Sequence, residues 1–300
     1  MDHLREITGR GVSRRKFLAG LGYGAGTAAA LTMAAGCGGG SSQSTGTNPT
    51  PTPVTDTDIL NFALNLEYLE AEFYLRAATG TGLADADAGS SAGAVTGGTQ
   101  VPFKTPAIQE YALEIANDEL AHVRFLRKAL GSAAVSRPQI DLMNSFNTAA
   151  MAAGIGPAFN PFVDEDSFLV GAFTFEDVGV TAYHGAAGLL SNKTYLQAAA
   201  GIMATEAYHA AEIRTLIAYL GGNYQTYANQ ISTLRGEAGG GSEVQVSGST
   251  IVAADSNSIA FARTTDEVLH IVYLNPAAGV VKSGGFYPAG LNGTITATTN

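Results

Sequence analysis

Four segments of this chain set acidic residues into the middle of apolar helical stripes, and the second pair of segments repeats the first. The first predicted helix runs from about 56 to 78, with Thr55 or Asp56 as cap. Its stripe reads Leu60, Leu64, Glu67, Ala71, Tyr74. The second, about 106 to 130, reads Ile108, Ala112, Ile115, Glu119, His122, Leu126. The third, about 166 to 190, reads Leu169, Ala172, Glu176, Val180, Tyr183, Ala187, and the fourth, about 192 to 220, reads Ala199, Ile202, Glu206, His209, Ile213, Leu216. Glu67 precedes Tyr74 by the same interval as Glu176 precedes Tyr183, and Glu119-x-x-His122 recurs as Glu206-x-x-His209. A helix pair has been duplicated.

Residues three or four apart share a helix face, so each His lies beside its Glu on a face that should be buried. A buried, unpaired carboxylate costs several kcal/mol, and carboxylates facing one another repel and take up protons. Such a chain needs positive charge at its centre. Two divalent cations would balance four carboxylates, with two neutral imidazoles completing the set. Oxygen-rich ligands with one imidazole per metal suit Fe or Mn better than Zn.

The arrangement resembles the carboxylate centres of di-iron and di-manganese helix bundles, with Glu on two helices and Glu-x-x-His on the other two. Together with LNLEYLEAEFY at 64–74 and FEDVGVTAYHGAA at 175–187, it resembles the ferritin-like superfamily. Within that superfamily it is similar to exported ferritin-like proteins related to plant desiccation-related proteins. The resemblance covers about residues 56–225. It implies an all-α fold, a ferritin-like four-helix bundle with one long crossover, here followed by a small mixed C-terminal extension over 226–300. It also implies the ligands: Glu67 and Glu176 as terminal or bridging carboxylates, Glu119 and Glu206 as bridges, and His122 and His209 binding one metal each. Tyr74 and Tyr183 would be hydrogen-bond partners of the ligands.

Neighbouring polar residues have blander readings. Glu70 and Glu72 could replace Glu67, but their phase sets Glu72 on the outer face and Glu70 at the stripe edge. His184 reads as surface or as a hydrogen-bond partner of the ligands, Tyr208 as packing. Asn117 and Asp118 read as solvated, with an extra ligand as the alternative. Asp85-Ala86-Asp87 starts like a calcium loop, but Thr96 stands where that loop needs a bidentate Glu.

The first 36 residues read as an address. Arg14 and Arg15, followed by Lys16-Phe17-Leu18 and an apolar Gly/Ala-rich run to Ala35, resemble a twin-arginine export signal; the alternative is an amino-terminal transmembrane anchor, for which the Gly/Ala-rich run is barely long enough. Cys37 follows Ala34-Ala35-Gly36, which resembles a bacterial lipobox; Ala34 departs from the usual Leu, leaving plain cleavage after Gly36 as the alternative. Residues 37–55, nearly all Gly, Ser, Thr and Pro, form a solvated tether. The chain is therefore expected to be exported by the twin-arginine pathway and held at the periplasmic or cell surface, touching membrane only through the lipid.

The net charge is −10. Removal of residues 1–36 takes five basic and two acidic residues from totals of 16 and 26, leaving 11 against 24, or −13. Phosphate-binding chemistry demands the opposite sign, so nucleic acid is excluded as a partner. A single cysteine excludes an internal disulfide and a thiolate metal site. Metal ions are the expected partners, and a small oxidant and an oligomer are compatible with this reading. Two functions fit: a di-metal (Fe or Mn) redox centre acting on Fe(II), O₂ or peroxide, of ferroxidase or manganese-catalase type, or a non-enzymatic stress and desiccation protein with a structural or vestigial metal.

Residues 79–105 read as a long Gly-rich insertion, 139–153 as a short crossover helix, and 265–273 as a helix capped by Thr265.

Overall fold

Three of the four bundle helices begin at a capping side chain, Thr55, Asp164 or Asn192, and all four stop at or beside a glycine. The computed structural model describes residues 54–248 and 250–299; the export signal with Arg14 and Arg15, and the lipobox Cys37, lie outside the described residues. Helix α1 (Asp56–Thr79) starts at Thr55, whose hydroxyl accepts from the Asp58 amide while the Asp58 carboxylate accepts from the Thr55 amide. It ends at Gly80, φ 84°. After α2 (Asp85–Ala88) and β1 (Val95–Thr96) comes α3 (Pro106–Leu130), with Pro at its first position. Then follow a 3₁₀ turn (Gly131–Ala133), β2 (Ile140–Asp141) and α4 (Asn144–Ala152). The second long pair is α5 (Glu165–Ala187), capped by Asp164, and α6 (Lys193–Leu220), capped by Asn192. Helices α7 (Gly222–Gly239) and α8 (Thr265–Val272) complete the chain. No helix among the described residues is long and apolar enough to cross a membrane.

Helix α1 packs along α3, α5 along α6, and α1 against α5. The residues between α3 and α5 form the long crossover of a ferritin-like bundle, so the expected all-α fold stands. One expectation about connections changes. The crossover helix begins at Asn144, not Gln139, because Ile140 and Asp141 pair in parallel with Val95 and Thr96, and the Asp141 carboxylate accepts the Met143 and Asn144 amides. The long insertion is pinned along its length: Val101 donates to the Ala77 carbonyl, Arg124 grips Asp87 in a two-pronged pair, and Gly93 passes so close to Gln139 that a Cβ would stand 2.4 Å from its amide nitrogen. Asp87 is thus a structural acid.

Beyond the bundle, the tail packs firmly onto it. The cap of α8 is Thr264 rather than Thr265, because only Thr264 completes the reciprocal hydrogen bonds with Glu267. Tyr287 donates to the Asn65 carbonyl, Asn292 and Asn65 exchange two hydrogen bonds, and Phe286 joins Phe73, Phe146 and Phe175 in one aromatic cluster. A buried ion network links Arg214 and Arg235 to Asp177, and Arg235 and Arg263 to Glu243, at 2.6–2.9 Å. Gly185 lets this tail approach: a Cβ there would lie 1.9 Å from the Arg263 carbonyl oxygen. Gly185→Ala gains helix propensity, about 1 kcal/mol, but forces two backbones apart. The expected net result in urea unfolding is a loss of about 1–2 kcal/mol; a variant as stable as the wild type would contradict this packing.

Candidate metal centre

The duplicated stripes converge. Glu67 from α1, Glu119 and His122 from α3, Glu176 from α5, and Glu206 and His209 from α6 are all buried in the middle of the bundle. His122 Nδ1 lies 3.2 Å from Glu67 Oε2, 3.4 Å from Glu119 Oε2 and 3.3 Å from Glu206 Oε1. His209 Nδ1 lies 3.1 Å from Glu119 Oε1 and 3.7 Å from Glu176 Oε2. Two sets of donor atoms, Glu67/Glu119/His122/Glu206 and Glu176/Glu206/His209, each fall within 4.8 Å of one another. Glu206 belongs to both sets, and Glu119 faces both imidazoles. The ring centroids are 6.5 Å apart.

The tyrosines cross over between halves. Tyr74, on the helix of Glu67, donates to Glu176; Tyr183, on the helix of Glu176, donates to Glu67. Each hydroxyl occupies one oxygen and leaves the other facing inward. Glu67 Oε2, Glu119 Oε1, Glu176 Oε2, both Glu206 oxygens and His209 Nδ1 are buried with no hydrogen-bond partner. Such orphaned acceptors are rare in a folded interior. An inward-facing set of oxygens and imidazole nitrogens is the donor set of a hard-to-borderline divalent cation. The residues present fit a metal.

Electrostatics agree. Burial raises Glu67 to about 7 against the pull of His122, and raises Glu176 to about 8 against His209. Burial, with the neighbouring carboxylates, also holds Glu206 well above the usual range. Burial works against Glu119 too, but the His122 and His209 rings beside it outweigh it and hold it near 2. For His209 burial favours the neutral ring, yet the Glu119 carboxylate beside it and the other nearby charges raise it to about 10; His122 is raised likewise, chiefly by Glu67.

A pH dependence follows. Glu67, Glu176 and His209 keep protons in the folded state at pH values where the unfolded chain has lost them. Metal-free protein therefore loses stability as pH rises from about 4.5, the unfolded carboxylate value, to about 8 for the two acids, and from about 6.5 to 10 for His209. Bound cations reverse the sign, because binding displaces those protons. Melting curves at pH 5, 7 and 9, with and without Mn(II), should show the metal-induced gain growing with pH; a gain independent of pH would contradict the assignment.

Three neighbouring residues stand otherwise than their phase implied. Glu72 is buried rather than outward, because Arg76, Arg137 and the Leu83 amide surround its carboxylate. Glu70 is buried too, its carboxyl pushed well up by burial and by Glu206, and it walls a cavity of about 30 Å³, room for about one water. Tyr208 is not packing but 77% exposed, on the rim of a groove of about 410 Å³ between α3 and α6. His209 lies at that groove, with Glu114 and Glu212 along it. His184 bonds the Phe261 carbonyl and holds the tail. Gly179 allows Glu206 its place, since a Cβ there would sit 2.6 Å from Glu206 Oε2.

The bundle and its buried carboxylate–histidine cluster define a ferritin-like protein, and residues 55–219 match the model of the ferritin-like domain family. The chain belongs to the ferritin-like superfamily and is related to the desiccation-related proteins. It is 31% identical to the desiccation-related protein PCC13-62 of Craterostigma plantagineum over 238 residues, 70% of this chain and 75% of that one. It is 30% identical to the ferritin-like catalase Nec2 of Nesocodon mauritianus over 265 residues, 79% of this chain and 83% of that one.

Proposed function

We propose that this chain is a di-metal carboxylate protein, holding two Fe or Mn ions and redox-active toward Fe(II), O₂ or peroxide. The observation that carries the reading is the set of buried, unpartnered carboxylate oxygens and His209 Nδ1 turned toward one another. Glu67, Glu119, His122 and Glu206 would hold one ion, and Glu176, Glu206 and His209 the other. When bound, the pair supplies two-electron chemistry to a small oxidant. The chain's own residues do the rest. Tyr74 and Tyr183 fix the orientation of Glu176 and Glu67. Buried apolar side chains on the ligand stripes, among them Leu64, Ala172 and Ile213, exclude bulk water. The groove at His209 offers a small molecule a path from solvent. Similarity to a protein named as a ferritin-like catalase supports a peroxide substrate.

The second reading, a non-enzymatic envelope protein protective in drying with a structural metal, is favoured by the similarity to a desiccation-related protein. Peroxide breakdown and Fe(II) oxidation assays on metal-loaded protein separate the two: turnover supports the first, and loaded protein without turnover supports the second.

Residues 13–37 support a location outside the cytoplasm, by twin-arginine export followed by acylation of Cys37. Intact-mass measurement should find the mature chain starting at an acylated Cys37; a chain starting there without lipid would favour plain cleavage.

A further inference from the structure

The duplicated Glu-x-x-His motifs differ in the residue just before the Glu. Asp118 precedes Glu119, but Thr205 precedes Glu206. Asp118 Oδ2 lies 3.1 Å from His209 Nε2, across the α3–α6 boundary. Thr205 instead turns its hydroxyl back to the Gly201 carbonyl of its own helix, 3.4 Å away. The polar contacts of His122 all run through Nδ1, and among the described residues no side chain pairs with its Nε2. His209 is therefore gripped from outside while Nδ1 faces the cluster; His122 is gripped only from within.

From this we infer that the two halves of the centre are inequivalent. The half built on His209 binds its cation first and holds it more tightly, and Asp118 is the positioning residue responsible. The inference rests on the di-metal reading. An imidazole that gives its Nδ1 lone pair to a cation keeps its proton on Nε2. A carboxylate accepting that proton fixes the tautomer, stops the ring rotating, and makes the nitrogen a stronger donor. Loss of such a partner typically costs 10–100-fold in metal affinity. His122, without a carboxylate behind it, forms the weaker half.

The test is titration of metal-free protein with Co(II), followed by calorimetry and by the visible absorption of the bound ion. Wild type should bind in two steps at least about tenfold apart. Asp118→Ala should weaken the tighter step about 10–100-fold and leave the weaker one in place, so that the steps merge. Asp118→Asn, which keeps size and a weaker acceptor, should fall between. In ¹⁵N-edited spectra of the Zn(II)-loaded protein, the His209 Nε2–H resonance should be protected in wild type and exchange rapidly in Asp118→Ala, a change that general loosening would not confine to one ring. Two equal steps in wild type, or unchanged steps in both variants, would overturn the inference while leaving the di-metal reading intact. No Co(II) binding by wild type would overturn both.

Discussion

Replacing Glu119 and Glu206 together by alanine removes all tight divalent-metal binding. Each of these carboxylates faces both halves of the cluster: Glu119 stands 3.4 Å from the His122 ring nitrogen and 3.1 Å from that of His209, and Glu206 belongs to both donor sets. Loss of either weakens both sites, and loss of both leaves one carboxylate and one imidazole per ion, too few for a buried site. Any turnover should vanish with the metal. Removing Glu206 relieves a buried acid whose charge burial and its neighbours disfavour, whereas removing Glu119 takes the shared partner from His122 and His209, so the helical circular-dichroism signal of the metal-free double variant is compared with that of the metal-free parent. Unchanged metal content in this variant would relocate the site.

Arg235→Ala carries the largest expected cost in stability. The guanidinium is buried, paired with Asp177 at 2.9 Å and Glu243 at 2.8 Å, donates to the Phe173 carbonyl at 2.6 Å, and lies 4.4 Å from the Phe173 ring centroid. Its removal strands charge and a carbonyl in the interior, where breaking a buried pair costs about 3–5 kcal/mol. The same network holds Glu243 and Arg263 of the tail against α5, so the segment between them should become protease-sensitive. Chemical denaturation and limited proteolysis check both effects; a loss below about 1 kcal/mol, the scale of an exposed pair, would contradict this role.

The bundle was legible in the sequence because its determinants are local. Apolar spacing, the caps Thr55 and Asn192, and Gly80, Gly131 and Gly221 bracket the long helices to within a few residues. The six cluster residues announced themselves as charges on faces meant for burial. Long-range partners were not legible. Glu72 has the phase of an outward residue and is buried because the Leu83 amide and Arg137, far along the chain, join Arg76 around it. Asp118 looks solvated until α6 brings His209 beside it, although its position next to Glu119 was a usable signal. The tyrosines had the right face, but their exchange between halves depends on how α1 and α5 pack. The C-terminal segments lack strong periodicity and are ordered by contacts with Asn65, Thr181 and Asp177.

Elemental analysis of the purified mature chain tests the central claim most directly. About two Fe or Mn per chain, retained through gel filtration and removed by a chelator with a drop in melting temperature, is the predicted result. Protein that carries no metal, takes none up from solution and melts at the same temperature with or without it would contradict the account.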